Sequence, residues 1–562
     1  MALNGVERRG CWSTGTAFVA GMFVGALAML SLRPISQLSL PSSAVVGQLV
    51  FRKPSASLVK EPVAREPVAS VPIPMHHPIR AKTQVLELWK LVQQAGRQKR
   101  DEKELLSFVG NRTALRGDDN FPRVVAAYDF SILIKKYSLA SPKRLLVFGT
   151  DPEISLLTVG DRVDCVYDQD KGTNDLHSLS SSVLGSGPAP DLAILGQTLE
   201  HLYDPALAMR NIFSVLADGA YFFASGPLTS IPHRTPMHFY HFTAMGLAVL
   251  MQNAGFESIA LEQWGSNEYE TALFQKMAWP GSDTLKNLGG DQNHVDFVWG
   301  LFRKPTNSSA VSGKAGLVWS CNQGTLLQHP VYTKMSLLHL WESVVKPSTE
   351  RRRDVKAMQD FAMKRTTLRG SNDFPRVVAL YDFSFWLDKY NLSTPHRVLT
   401  FGQDFEMSLL TVGDHVGYVY DQGKDTNDLH SLRSSVLGSG PAPDLAILGQ
   451  TLEHLYDPLL AMSNVFNVVA EGAYFFTSTP LTNIPHMTPI HYFHYTSMGL
   501  AILMQKAGFE VVELGQWGAT DYEVVLFTDM WWPGWAKVKN ATGDVGHVDQ
   551  VWGLFRKPRT KP

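Results

Sequence analysis

Residues 112–305 of this chain align with residues 365–558 at a constant offset of 253 and without a gap, and residues 181–205, SSVLGSGPAPDLAILGQTLEHLYDP, recur unchanged as residues 434–458. A gapless match of this length means that one unit is folded twice. Val85, Leu88, Trp89 and Val92 sit at helical spacing and open the first unit; Leu340 and Trp341 open the second, one residue out of step. Each unit is then about 225 residues, the size of a complete domain rather than of a solenoid repeat. Two domains are expected, 82–305 and 334–558, joined by a linker over 306–333 that begins with the Ser-rich run Thr306–Lys314.

The stretch Asp191–Pro205, and its copy Asp444–Pro458, sets the fold class. Leu192–Leu195 is an uncharged run of the kind that crosses a sheet covered on both faces. Asp204 offers an acceptor to first-turn amides, and Pro205 at the first helical position loses no needed hydrogen bond. Ala206–Leu216 continues as a helix, Asp218 and Gly219 close it, and Ala220–Ala224 reads as the next strand. Upstream, a helix over Val124–Tyr137, a strand over Arg144–Phe148, a short helix and a strand over Val163–Tyr167 precede this stretch. Such alternation predicts an α/β, doubly wound, Rossmann-like parallel sheet in each unit. Ligands of such sheets sit beyond the carboxyl ends of the strands, which is where Gln197, Glu200 and His201 gather. Gly149 and Asp168 end the first two strands, about twenty residues apart, as a glycine turn and a ribose-binding carboxylate do in nucleotide-binding units. Gly402 and Asp421 repeat them.

A strand, then EHLYDP, then an amphipathic helix, a glycine and a strand resembles the second half of the class I S-adenosylmethionine-dependent methyltransferase fold. His238–Glu257, HFYHFTAMGLAVLMQNAGFE, extends the resemblance, looking like that family's late helix and its AGFE turn into a strand. The resemblance implies S-adenosylmethionine as cofactor, held by Gly149, Asp168, Gln197 and Glu200 and, in the second unit, by Gly402, Asp421, Gln450 and Glu453. It also exposes a departure. Where the family continues with glycines, this chain has Asp151 and Glu153, and Asp404 and Glu406; a carboxylate there fills the pocket and repels the cofactor's own carboxylate by an energy of order 1 kcal/mol.

The pattern IPHxTPxHxxHxT places His233, His238 and His241 within nine residues, and His486, His491 and His494 repeat them. A metal, a general base for a methyl acceptor and a structural network all suit such a group. The spacing is no standard ligand pattern, so no metal is expected. His238 and His241 are expected on one face at the start of the late helix, with Thr243 as its cap. His201 and His241, with His454 and His494, are the candidate catalytic residues. Methyl transfer to a hydroxyl of a small molecule or glycan is the expected function. The alternative is a non-catalytic, methyltransferase-like tandem scaffold with degenerate cofactor loops.

Gly10–Leu32 is uncharged and bracketed by Arg9 and Arg33, long enough to span roughly 30 Å of hydrocarbon. A signal anchor over 1–34 is expected, followed by a Pro-rich stem over 35–81; cleavage after Ala28 and a transit peptide stay open. Anchor, stem and globular remainder outline a single-pass type II membrane protein facing the lumen of the endoplasmic reticulum or Golgi, which sequons at Asn111, Asn307, Asn391 and Asn540 permit. A net charge of −1 carries no nucleic-acid footprint. Three cysteines, Cys11, Cys165 and Cys321, none in a CxxC pair, form neither a disulfide scaffold nor a thiolate zinc site. A homodimer remains open.

Overall fold

The computed structural model describes residues 82–559 apart from 96–99, 113–119, 150–151, 165–175, 235, 292, 307–333, 347–352, 366–367, 369–372, 403–404, 419–427 and 488. The expected anchor and stem, and all but the first residue of the linker, lie outside them. None of the described helices is long and apolar enough to cross a membrane.

In the first repeat α1 (Lys82–Ala95), α2 (Glu102–Gly110) and α3 (Phe121–Tyr137) precede β1 (Arg144–Val147), β2 (Asp161–Asp164) and β3 (Leu192–Leu195). There follow α4 (Pro205–Val215), β4 (Tyr221–Pro227), β5 (Tyr240–Phe242), α5 (Ala244–Asn253), β6 (Glu257–Trp264), α6 (Asn267–Lys276) and β7 (Phe297–Arg303). The second repeat runs through α7 (Lys334–Leu340), α8 (Val355–Met363), α9 (Phe374–Tyr390), β8 (Arg397–Thr400), β9 (Asp414–Gly417), β10 (Leu445–Gly449) and α10 (Pro458–Val468). It ends with β11 (Tyr474–Pro480), β12 (Phe493–Tyr495), α11 (Ser497–Lys506), β13 (Glu510–Trp517), α12 (Thr520–Asp529) and β14 (Gln550–Arg556).

Each repeat builds one six-stranded sheet, in the order β2-β1-β3-β4-β7-β6 and its counterpart β9-β8-β10-β11-β14-β13. The sheet is mixed, not wholly parallel as expected: β7 runs antiparallel to both β4 and β6. Its first residue, Phe297, pairs with Trp264 at the end of β6, so the chain re-enters at the edge it has just left instead of crossing over. Alternate residues of β1 and β3 serve different cores, Leu146, Ala193 and Leu195 on one face and Leu145, Leu192 and Ile194 on the other. Apolar side chains thus cover both faces, as the unbroken hydrophobic run of β3 requires, each fully buried aliphatic residue contributing about 1.5–3 kcal/mol.

Arg144 fastens the first part of the Ser181–Pro205 segment to β1. Its guanidinium, 5% exposed, donates to the carbonyls of Leu184 at 2.7 Å and Pro188 at 2.6 Å and meets Asp161 at 2.9 Å. Gly187, at φ +155°, lies so close that a Cβ would come within 2.7 Å of that guanidinium. Arg397 makes the same bonds to Leu437 and Pro441 in the second repeat.

The repeats are not two beads on a linker: both belong to one unit that spans 74–562. β5 and β12 pair antiparallel with His241 opposite His494, a two-stranded sheet built from one strand of each repeat. Thr243 donates to the carbonyl of His491 at 2.5 Å and Thr496 to that of His238 at 2.6 Å, while each threonine also caps its own helix through the amide of Gly246 or Gly499. Lys506 reaches Asp204 at 2.6 Å, and Phe274 stacks on Phe527 at 5.6 Å. The contact that two copies of one unit make in a homodimer is here made within a single chain.

The late helix differs from expectation in its start. Thr243 is the cap, but α5 begins at Ala244, and the residues before it form β5. His238 and His241 therefore lie before and on a strand, not on a helix face. The partner strand β12 supplies the hydrogen bonds that make extended backbone the better state there.

Candidate functional site

β3 and β10 end abruptly. Gln197 and Gln450, which follow them, adopt left-handed backbone with φ of +50° and +49°, an uncommon state for a residue with a side chain and one that clusters at ligand sites. The turn reverses the chain into a short 3₁₀ segment, Leu199–His201 or Leu452–His454, whose residues are buried. Asp204 then caps α4, accepting from the amide of Leu207 at 3.0 Å. The amide nitrogen of Gln197 is buried without a hydrogen-bond partner, whereas that of Gln450 meets the Ser478 hydroxyl at 3.4 Å. Gly149 and Gly402, after β1 and β8, are partly exposed. These strand ends form the crevice the topology predicts.

Asp168 and Asp421 lie outside the described residues, as do Asp151 and Asp404. Glu153 and Glu406 are described, and both are 0% exposed. Glu406 faces Arg376, Nη2 to Oε2 3.6 Å, and that guanidinium also lies over the Phe405 ring. The counterpart of Arg376 in the first repeat is Arg123. In the second repeat the carboxylate expected to repel a bound carboxylate thus lies beside a cation.

Glu200 and Glu453 are wholly buried, and each carboxylate lies 3.7 Å from Nε2 of the adjacent His201 or His454. Burial pushes the Glu453 carboxyl up to about 7, though the hydroxyl of Thr479 donates to it at 3.3 Å. Around each glutamate stand four imidazoles. His201, from the turn after β3, packs edge-on against His233 and His238 from the loop between β4 and β5, with ring centroids 4.8 and 5.4 Å away. His241 stands behind His238, Nε2 to Nε2 2.9 Å, and the second repeat sets His494 behind His491 at 2.6 Å. His201, His238 and His241 are buried and His233 is half-buried. Burial holds the His201 and His241 imidazoles down at about 3 and pushes His233 and His238 below the ordinary value, so all four are neutral at pH 7.

Sequence spacing grouped His233, His238 and His241. The fold instead closes a triangle of His201, His233 and His238, one ring nitrogen from each lying within 4.8 Å of the others, and places His241 in the interface between repeats. His454, His486 and His491 form the same triangle. The signal that points to it is the joint recurrence of EHL and IPHxTPxH in both repeats. Trp279, edge-on to His233 at 5.2 Å, was not anticipated.

Residues 125–261, from within α3 to within β6, match a family model described as a methyltransferase domain. No curated protein matches the chain. Among solved structures, phosphoethanolamine N-methyltransferase 2 of Haemonchus contortus in complex with S-adenosyl-L-methionine is similar at 12% identity, with a TM-score of 0.21, over 77% of this chain and 99% of that one. A putative sarcosine dimethylglycine methyltransferase of Galdieria sulphuraria is similar at 13% identity, with a TM-score of 0.22, over 32% of this chain and 86% of that one.

Proposed function

We propose that the chain carries a class I methyltransferase-type domain twice over, and that each copy binds S-adenosylmethionine at the carboxyl ends of its central strands and directs the methyl group to a hydroxyl of a small molecule or glycan. The observation that carries the reading is the family match, because 125–261 contains the whole of the crevice from Gly149 to the EHL turn. When bound, the cofactor supplies an electrophilic methyl group; the chain supplies placement. Gly149 lets backbone approach it, Gln197 stands beside it on its left-handed turn, and Asp168 accepts from the ribose hydroxyls. The acceptor approaches along the β4–β5 loop, where His233 is the imidazole of the four that is not buried. The second repeat uses Gly402, Gln450, Asp421 and His486 in the same way.

The finer reading places this enzyme on a membrane through residues 10–32, facing the endoplasmic reticulum or Golgi lumen; the uncharged run between Arg9 and Arg33 supports it. A non-catalytic scaffold draws its support from Asp151, Glu153, Asp404 and Glu406.

Calorimetry with S-adenosylmethionine on the purified full-length chain tests the proposal. Asp168→Ala removes charge-assisted hydrogen bonds of about 1.5–3 kcal/mol, so binding at that site is expected to weaken roughly ten- to a hundredfold. Asp421→Ala is expected to do the same in its repeat. Full affinity in the double variant means that the cofactor lies elsewhere, and no binding by the natural chain returns the scaffold reading.

A further inference from the structure

We propose that each repeat binds one divalent transition-metal ion, through His201, His233 and His238 in the first and through His454, His486 and His491 in the second. In each triangle the three nitrogens lie within 4.8 Å of one another, a spread that small ring rotations close to the roughly 3.4 Å set by ligands 2.0–2.1 Å from a tetrahedral ion.

Hydrogen bonds decide which nitrogen each ring offers. Nδ1 of His201 lies 2.6 Å from the carbonyl of Met237, and Nδ1 of His233 lies 3.0 Å from that of Ile231. A carbonyl only accepts, so both Nδ1 atoms carry the proton and both Nε2 atoms carry a lone pair. His238 is turned the other way: its Nδ1 accepts from the amide of His233 at 3.1 Å, leaving Nε2–H to donate to His241.

The second repeat completes the relay. His494 donates through Nδ1 to the carbonyl of Leu481 at 2.9 Å, so its Nε2 accepts from Nε2–H of His491; Nδ1 of His491 then bears the lone pair and accepts from the amide of His486 at 3.0 Å, with the carbonyl of His486 3.2 Å away. His454 and His486 are fixed by the carbonyls of Ile490 at 2.6 Å and Ile484 at 3.1 Å.

This is the outer shell that metal-ligating histidines have, one ring N–H held by a carbonyl or relay partner and the other nitrogen bearing the lone pair. An incoming ion displaces the amide hydrogen bond from His233 to His238. The wholly buried carboxylate of Glu200, 3.7 Å from Nε2 of His201, balances the charge. Three imidazoles beside a carboxylate suit a first-row ion such as Zn²⁺ rather than Mg²⁺ or Ca²⁺. His233, half-buried at the crevice side, is the way in.

The ion's use, as a Lewis acid toward an acceptor oxygen, rests on the methyl-transfer reading. Its binding does not, and is measured with neither cofactor nor acceptor present. The test uses the untagged full-length chain, stripped with chelator and titrated with Zn²⁺ by calorimetry, with metal content measured after dialysis. About two ions per chain are expected, one in His233→Ala and none in His233→Ala/His486→Ala, each loss weakening its site by more than the roughly 10- to 100-fold of an outer-shell change. Substoichiometric zinc, or a stoichiometry the double variant leaves unchanged, overturns the proposal. Should the double variant not fold, the visible absorption of Co²⁺ on the natural chain decides. Bands intensified over those of aqueous Co²⁺ support nitrogen ligation, and unchanged bands overturn it.

Discussion

Gly246→Ala is expected to be among the most damaging single substitutions in the chain, costing about 3–5 kcal/mol although it adds one methyl group. A Cβ at Gly246 comes within 1.9 Å of the carbonyl oxygen of Tyr492 and 2.7 Å of its carbonyl carbon. Neither is a flexible side-chain tip. Tyr492 immediately precedes β12, and its carbonyl accepts from the amide of Thr243 at 3.1 Å. Relief therefore needs the start of α5 to move away from the other repeat by more than an ångström, which breaks that bond and strains the β5–β12 pairing. Alanine is the better helix former by roughly 1 kcal/mol, but that gain is local and smaller than the clash. Gly499 makes the mirror contact, 2.0 Å from the carbonyl of Phe239. Both substitutions open the same seam, so Gly246→Ala/Gly499→Ala should cost less than the sum of the two. Chemical denaturation of the three variants measures this. A loss below about 1 kcal/mol in Gly246→Ala would show that the seam between repeats yields freely.

What the sequence made legible was local. β3 was bounded by its own apolar run, and α4 by Asp204 and Pro205, since both signals act within a turn of the residues that carry them. The start of the late helix was misread because β5 exists through β12, about 250 residues away, and no window around His238 contains that partner. The sheet was expected to be parallel because alternation reveals that strands and helices take turns, not that a last strand enters antiparallel between β4 and β6. The cation beside Glu406, Arg376 from the first turn of α9, was not legible, because the two lie thirty residues apart. The histidine triangle was half legible: IPHxTPxH announced two corners, and the third came from the strand-end turn after β3.

The stability contributed by two buried carboxyl pairs that no sequence motif announced is expected to fall as pH rises from about 5. Glu270 and Asp296 are each 1% exposed, and Glu523 and Asp549 repeat them at 0% and 2%. Burial holds all four well above the ordinary carboxylate range, and the like charge of its partner raises each aspartate further. Asp291 opposes ionisation of Glu270, as Asp521 and Asp544 oppose that of Glu523. The His294 imidazole that bonds Glu270 gives little relief, since its own burial disfavours the charged ring. The amide of Ser266 at 2.9 Å and the neighbouring His294 favour the anion of Asp296; the amide of Ala519 at 3.1 Å favours that of Asp549. The folded pairs thus retain protons that the unfolded chain releases above 3.8 and 4.5, the ordinary values of these acids. Stability from this source is complete below those values and declines with rising pH up to the folded pKa, by about 1.4 kcal/mol per pH unit for each retained proton. The buried histidines act in the opposite direction, losing stability as pH falls below 6.5, so the pairs must be isolated by difference. Glu270→Gln/Glu523→Gln keeps shape and hydrogen-bonding capacity, removes two of these protons and leaves the histidines of the triangles in place. The stability of the natural chain minus that of the variant should fall by roughly 2.8 kcal/mol per pH unit from about pH 5 upward. A difference that stays level with pH would mean that these carboxyls ionise in the folded chain as they do in water.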